Sequence, residues 1–343
     1  MATPSDPRPT LSVALCTYNG ATYLRDQWNS LLAQEWLPDE VIISDDGSSD
    51  GTRELVRELT AAAPFRVKLL ENQTPMGYNG NFGQAIAACT GELIFLCDQD
   101  DAWFPHKTRT LGTYLLNHPN HDVVFANATV ADEHLIPTDR QFWDVVRFGA
   151  DDQRRWQSGE AMHVLLAGNR VMGCTMAFRQ SFRARALPVP TNVPGGYIYD
   201  GWLALVAAAT NQIGVIAEPL QLYRTHPTQQ VGVRPVEAGP PVRFFDRFRR
   251  NRSLKLAPFR QQQIAWQTLL TLLTERVGPQ AVGLAQLQHR LNHTTMRATL
   301  PAFQLSRLWP VGRDLLAGQY HRYADAEANQ LAPFMAAVGD LLE

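Results

Sequence analysis

Two knots of carboxylates stand where apolar runs stop. Asp45-Asp46-Gly47-Ser48 follows EVIIS (40–44), and Asp98-Gln99-Asp100-Asp101 follows ELIFLC (92–97). Adjacent carboxylates repel, so they must be solvated, hydrogen-bonded or neutralised by a cation. Extended geometry points Asp98 and Asp100 the same way. One can then take a hard divalent ion while the other accepts hydrogen bonds from a ligand hydroxyl. An oxygen-only set suits Mg or Mn rather than Zn, and an ion with few protein ligands usually shares its shell with a substrate phosphate. Asp45-Asp46-Gly47-Ser48 is equally the composition of a plain turn. Three acids directly after a buried strand make a costlier ornament.

The surrounding pattern predicts what holds these groups. Strand-like runs at 11–16, 40–44, 66–71, 92–97 and 122–126 alternate with helical spacing at 22–34, 52–62, 80–89 and 105–117. Asp50 is a candidate N-cap for the second helix. The alternation predicts an α/β fold, a mostly parallel sheet with helices on both faces. Ligands in such sheets bind at the carboxyl ends of the strands, where both acid clusters fall. Beyond about residue 130 the pattern weakens. A strand-like stretch covers 171–178, a helix 199–209, and strands 213–217 and 220–224. The remainder, 242–343, has helical spacing broken at Gly278-Pro279, Pro301 and Pro310.

Composition removes other classes. Thirty-one basic against 33 acidic residues exclude a globally basic nucleic-acid binder. Four cysteines in 343 residues, none in a CxxC pair, are too few for a disulfide scaffold and suit a reducing compartment. The N-terminus lacks a signal-like apolar stretch and no window is apolar enough to span a membrane, so a cytoplasmic location is expected.

TYNG (17–20), DDGSSDGT (45–52), GYNGNF (77–82) and DQDDAW (98–103), in this order, resemble the family 2 glycosyltransferases of the GT-A fold, in particular the bacterial rhamnosyltransferase-like branch that builds surface polysaccharides. The resemblance covers about residues 10–232. It implies that Thr17 and Tyr18 line a nucleotide pocket, and that Asp45 meets the nucleobase with Asp46 beside it. It also implies that Asp98 faces the ribose or the metal shell and that Asp100 binds a Mn or Mg ion bridging the diphosphate. Asp101 is a weaker candidate. Asn81 is expected to contact the nucleotide or to cap a helix.

Inverting sugar transfer needs a base for the acceptor hydroxyl. Asp200, in YIYDGWLAL (197–205), matches the Asp of an HDWWLAL-like family segment, with Tyr199 where His is usual and Gly201 where Trp is usual. GNRVMGCTMAF (168–178) resembles the segment lining the acceptor side, and Cys174 is read there as a packing residue. The resemblance also suggests that His226 completes the metal shell or meets the diphosphate. Arg224 suits either phosphate oxygens or a carboxylate. Trp103, Trp202 and Tyr197 are sugar-stacking candidates better explained as core.

The segment 242–260 interleaves Arg243, Arg247, Arg249, Arg250, Arg252, Lys255 and Arg260 with Phe244, Phe245, Phe248, Leu254 and Leu256. It suits a helix on an anionic membrane surface, or equally one packed on the protein by its Phe face. The expected organisation is a tail (1–10), a nucleotide-sugar half (11–126), an acceptor half (127–233), a linker (234–241) and a helical region (242–343). The expected activity is metal-dependent, inverting transfer from a nucleoside-diphosphate sugar, with rhamnose a candidate, to a glycan or lipid-linked glycan. A non-catalytic nucleotide-sugar or glycan binder remains open. A Mg-dependent phosphohydrolase is disfavoured, because the first strand ends in CTYNG without an acid.

Overall fold

The computed structural model describes residues 8–229, 252–324 and 330–342. The chain divides into two compact units, Met1–Leu165 with Asn169–Val233, and Leu166–Gly168 with Arg234–Glu343.

The first unit opens with alternating strands and helices: β1 Leu11–Thr17, α1 Leu24–Leu32, β2 Glu40–Asp45, α2 Thr52–Thr60, β3 Arg66–Glu71, α3 Gly77–Ala88 and β4 Leu93–Asp98. Then come β5 Ala102–Trp103, α4 Lys107–Asn117, β6 Val123–Ala131 and β7 Pro137–Gln141. Short helices α5 Phe142–Val145, α6 Ala150–Arg155 and α7 Ala161–Leu166 lead to β8 Met176–Arg179 and α8 Arg183–Ala186. The unit closes with α9 Tyr199–Ala209 and β9 Ile213–Arg224. The sheet runs β3-β2-β1-β4-β8-β6-β9-β5, with β7 beside β6. β1 to β4, β6 and β9 share one direction, so the sheet is mostly parallel, as the alternation predicts.

β1 and β2 are buried at every residue, because helices cover both faces and only continuous apolar runs suit that setting. Leu11, Val13, Leu15, Val41, Ile43 and Phe95 pack with Trp28 and Leu31 of α1 and Leu111 and Leu115 of α4. Burying each such side chain contributes about 1.5–3 kcal/mol. This core fixes the register, which places Thr17 opposite Asp45 and Cys16 opposite Asp98. The carboxyl ends of β2, β1 and β4 therefore form one row.

Several boundaries differ from the sequence pattern. α3 starts at Gly77 rather than near 80, because Asp46 accepts the Met76 and Gly77 N–H groups that open it. α2 is preceded by Gly51 at φ +91°, and Asp50 stands one residue further out, accepting from Thr52 and Ala21. The 171–178 stretch becomes a 3-10 turn, Gly173–Thr175, before the strand begins at Met176. The two strands expected at 213–224 are one strand with a register shift against β6. β7 (PTDRQ) carries no apolar alternation, since it is an exposed edge. All four cysteines are free and buried.

In the second unit, helices Arg252–Val277, Leu284–Ala298, Leu308–Leu316 and Ala332–Leu342 carry most of the described residues. The first stops at Gly278, whose φ of +81° suits a helix C-terminus. Pro310 breaks nothing; it occupies the first turn of Leu308–Leu316, where its missing N–H costs little. Leu300, Val311, Tyr320 and Ala337 form a small core. The linker 234–241 and residues 242–251 of the basic segment lie outside the described residues. Within 252–260, Leu256 is buried and Leu254 exposed. Among the described residues no helix is long and apolar enough to cross a membrane.

Candidate active site

Asp45 ends β2, fully buried and fully engaged. Its Oδ2 accepts from Thr17 Oγ1 at 2.9 Å and Ser48 Oγ at 2.5 Å; its Oδ1 accepts from the Ser48 N–H at 3.0 Å and Arg53 Nε at 2.6 Å. Burial alone would raise its carboxyl. The donors of Ser48, Arg53 and Thr17 outweigh burial and lower it below the usual range. Asp46 is spent on the start of α3 and on Asn72.

The β4 end is built differently. Gln99 clasps the end of β1, accepting from the Tyr18 N–H at 2.8 Å and donating to the Tyr18 carbonyl at 3.0 Å. A Cβ on Gly20 would lie 2.0 Å from the Gln99 carboxamide, so a larger residue there would displace that clasp. Asp100 Oδ2 lies 2.9 Å from His226 Nε2, and the other ring nitrogen meets Thr228. Asp101 is fully buried, accepting from Gln221 Nε2 at 2.8 Å and the Arg224 N–H at 3.1 Å. Burial, then the charge of Asp100, raises the Asp101 carboxyl to about 7. Burial and the charges of Asp100 and Asp101 push Asp98 well above its ordinary value. Ligand atoms of Asp98, Asp101 and Cys174 lie within 4.8 Å of one another.

Asp200 occupies the first turn of α9, after the N-cap Ile198. Its carboxylate accepts from the Gly173 N–H (3.1 Å), the Gly201 N–H (2.5 Å) and Asn169 Nδ2 (3.3 Å). Burial raises it to about 6 despite these donors. Tyr199 stacks on Phe82 of α3 with ring centroids 3.8 Å apart. Gly201 leaves room for Tyr197, whose ring a Cβ would meet at 2.6 Å.

The structure thus brings Asp100 to His226 and aligns Thr17, Asp45 and Asp98. Asp98 stands nearer Asp101 and Cys174 than the expected grouping with Asp100 and His226 implies. Asn81 needs correcting as a helix cap. It lies inside α3, with its carboxamide bonded to Ser44 and Asn72. Arg224 takes the carboxylate option: its guanidinium binds Asp26 and the carbonyls of Asp100 and Glu133. Trp103, Trp202 and Tyr197 are buried, and Trp202 Nε1 donates to the Ala186 carbonyl. Sequence reasoning missed Lys107, Gln221 and Arg53. Lys107 stands four residues from both Trp103 and Leu111, a lysine on an apolar stripe, and that was its signal.

Parallel strands in this order, with acids in a row at their carboxyl ends, define a GT-A fold. Residues 12–181 match the model for glycosyl transferase family 2, and that segment belongs to the family. An uncharacterized protein of Mycobacterium tuberculosis is 28% identical over 223 residues, covering 63% of this chain and 59% of that protein. The chain therefore spans about three-fifths of that relative's length. The dTDP-rhamnosyl transferase RfbG of Shigella flexneri is 26% identical over 227 residues, covering 64% of this chain and 73% of RfbG. The crystal structure of S. aureus TarS 1–349 in complex with UDP-GlcNAc superposes with a TM-score of 0.55 at 14% identity, covering 97% of this chain and 88% of that one. That last likeness is one of fold.

Proposed function

We propose that this protein is an inverting, divalent-metal-dependent glycosyltransferase that moves a sugar from a nucleoside-diphosphate donor to a glycan or lipid-linked glycan in surface polysaccharide synthesis. The observation that carries the reading is the meeting of Asp100 and His226, 126 positions apart, at the carboxyl edge of the sheet.

That pair fits a hard divalent ion such as Mn or Mg; Asp98 feels the charge of Asp100 but gathers with Asp101 and Cys174. Asp101 and Cys174 fit less well: both are fully buried and already engaged, Asp101 by Gln221 and Arg224, and Cys174 by Gln221. A bound ion would neutralise charge developing on the departing diphosphate. Thr17, Tyr18 and Asp45 form the nucleotide side. Asp45 would need to exchange one of its donors to meet a base imide.

Asp200 takes the proton from the acceptor hydroxyl as that oxygen attacks the anomeric carbon. The bond to the diphosphate oxygen breaks, and the nucleoside diphosphate leaves with the electron pair. A carboxyl near 6 is a better base than an ordinary one yet is ionised at neutral pH. Rhamnose from a thymidine-linked donor is the favoured sugar, supported by the likeness to RfbG.

The test is a thermal-shift screen of UDP-, dTDP- and GDP-sugars with and without Mn2+. Ligands that bind the folded state raise its melting temperature. A metal-dependent rise with one nucleotide class is expected, and no response to any donor would overturn the reading.

A further inference from the structure

Beneath the acidic turn, Lys107, the first residue of α4, is fully buried. A buried ammonium is costly unless its donors are met. Here Nζ donates to the Cys174 carbonyl and to Gln221 Oε1, each at 2.5 Å, and lies 3.7 Å from the centroid of the Trp103 ring.

Those two acceptors lead in different directions. Gln221 uses the other end of its carboxamide, Nε2, to donate to Asp101 Oδ2. With Oε1 held by the ammonium, the amide cannot turn over without setting two donors against each other. Cys174 sits in the turn Gly173–Thr175, and the neighbouring Gly173 N–H donates to Asp200 Oδ2. That turn has no slack: a Cβ on Gly173 would lie 2.3 Å from the Tyr199 hydroxyl. One ammonium therefore braces the acidic turn through Gln221 and the Asp200 carboxylate through the 173–175 turn.

We propose that Lys107 is a positioning residue that sets the spacing between the Asp98–Asp101 turn and Asp200, and so the reach from acceptor oxygen to anomeric carbon. This rests on the transferase reading of those two groups. Displacing reacting groups by about 1 Å costs about 100-fold in rate.

The test uses the full chain with Lys107→Met, which keeps the length and removes the charge, and Gln221→Met, which keeps the Lys107–Cys174 carbonyl bond and cuts the links of Gln221 to Lys107, Asp101 and the Cys174 thiol. Binding is read by calorimetry with UDP or dTDP plus Mn2+. Turnover is read as nucleoside diphosphate released from UDP-glucose or dTDP-rhamnose. For Lys107→Met, nucleotide affinity and stoichiometry are expected to stay within about threefold of the parent while kcat falls about 100-fold. A merely structural lysine would lower the number of competent sites and the turnover together. That result, or turnover within about threefold of the parent, overturns the proposal. If Lys107→Met does not fold, Gln221→Met decides: a fall of about tenfold in kcat at unchanged stoichiometry supports the proposal, and parental turnover overturns it. A parent that neither binds nor turns over any UDP-, dTDP- or GDP-sugar would sink the transferase reading and the positioning role together. An active parent with unaffected variants sinks the positioning role alone.

Discussion

Asp45 and Asp101 lie at or just beyond the ends of strands that flank β1. Both are wholly buried, and their carboxyls shift in opposite directions. Asp45 collects four hydrogen bonds, one from the Arg53 guanidinium, and stays a strong acid. Asp101 has two neutral donors and the like charge of Asp100 nearby, and rises to about 7. Burial penalises both anions, so the number and charge of the donors decide the sign. One strand end is electrostatically closed. The other crowds carboxyls whose burial and mutual repulsion push them toward the protonated form, and a bound cation would favour their ionised form.

The largest test of this contrast is Asp100→Ala. It removes the carboxylate that meets His226, and metal-dependent nucleotide binding should weaken at least about 100-fold by calorimetry. Asp200→Asn should leave that binding nearly intact while nucleoside diphosphate release slows about 10²–10⁴-fold; unchanged turnover would remove Asp200 as the base. The pH dependence is gentler. As the proposed base Asp200 would work ionised, and its carboxyl is raised to about 6, so kcat/KM should be full above that pH and fall about tenfold per unit below it. An unshifted carboxyl would place the limb near its ordinary value of 3.8 instead. Smallest is Ser48→Ala at the closed end. It removes one Asp45 donor and should cost about 1 kcal/mol in urea denaturation. A loss as large as that from Asp100→Ala in nucleotide binding would mean the two ends are not so different.

Much of this was legible in the sequence because strands covered on both faces must be continuous apolar runs, and charge can begin only where they stop. That logic located Asp45, Asp46, Asp98 and Asp100 at strand ends. It could not supply partners. Arg53 is eight residues from Asp45 and looks like any helix-surface arginine, while Gln221 reaches Asp101 across 120 positions. Asn81 misled because GYNGNF has loop composition; Asp46 supplies the acceptors that let a helix form through it. The 173–175 turn was hidden in a β-like run because Gly173 is needed for its clearance from Tyr199, which local propensity does not record.

The four cysteines offer an internal clock. Burial raises Cys16, Cys97 and Cys174 well above the ordinary thiol value and Cys89 to about 12, and all four lie in the unit that carries the sheet. A covered, protonated thiol reacts with an alkylating reagent only when the structure around it opens. Mass spectrometry of the alkylated peptides would time the parting of β1 and β4 through Cys16 and Cys97, and the release of the 173–175 turn through Cys174. Cys16, Cys97 and Cys174 thereby report on the surroundings of the acidic turn with no added label.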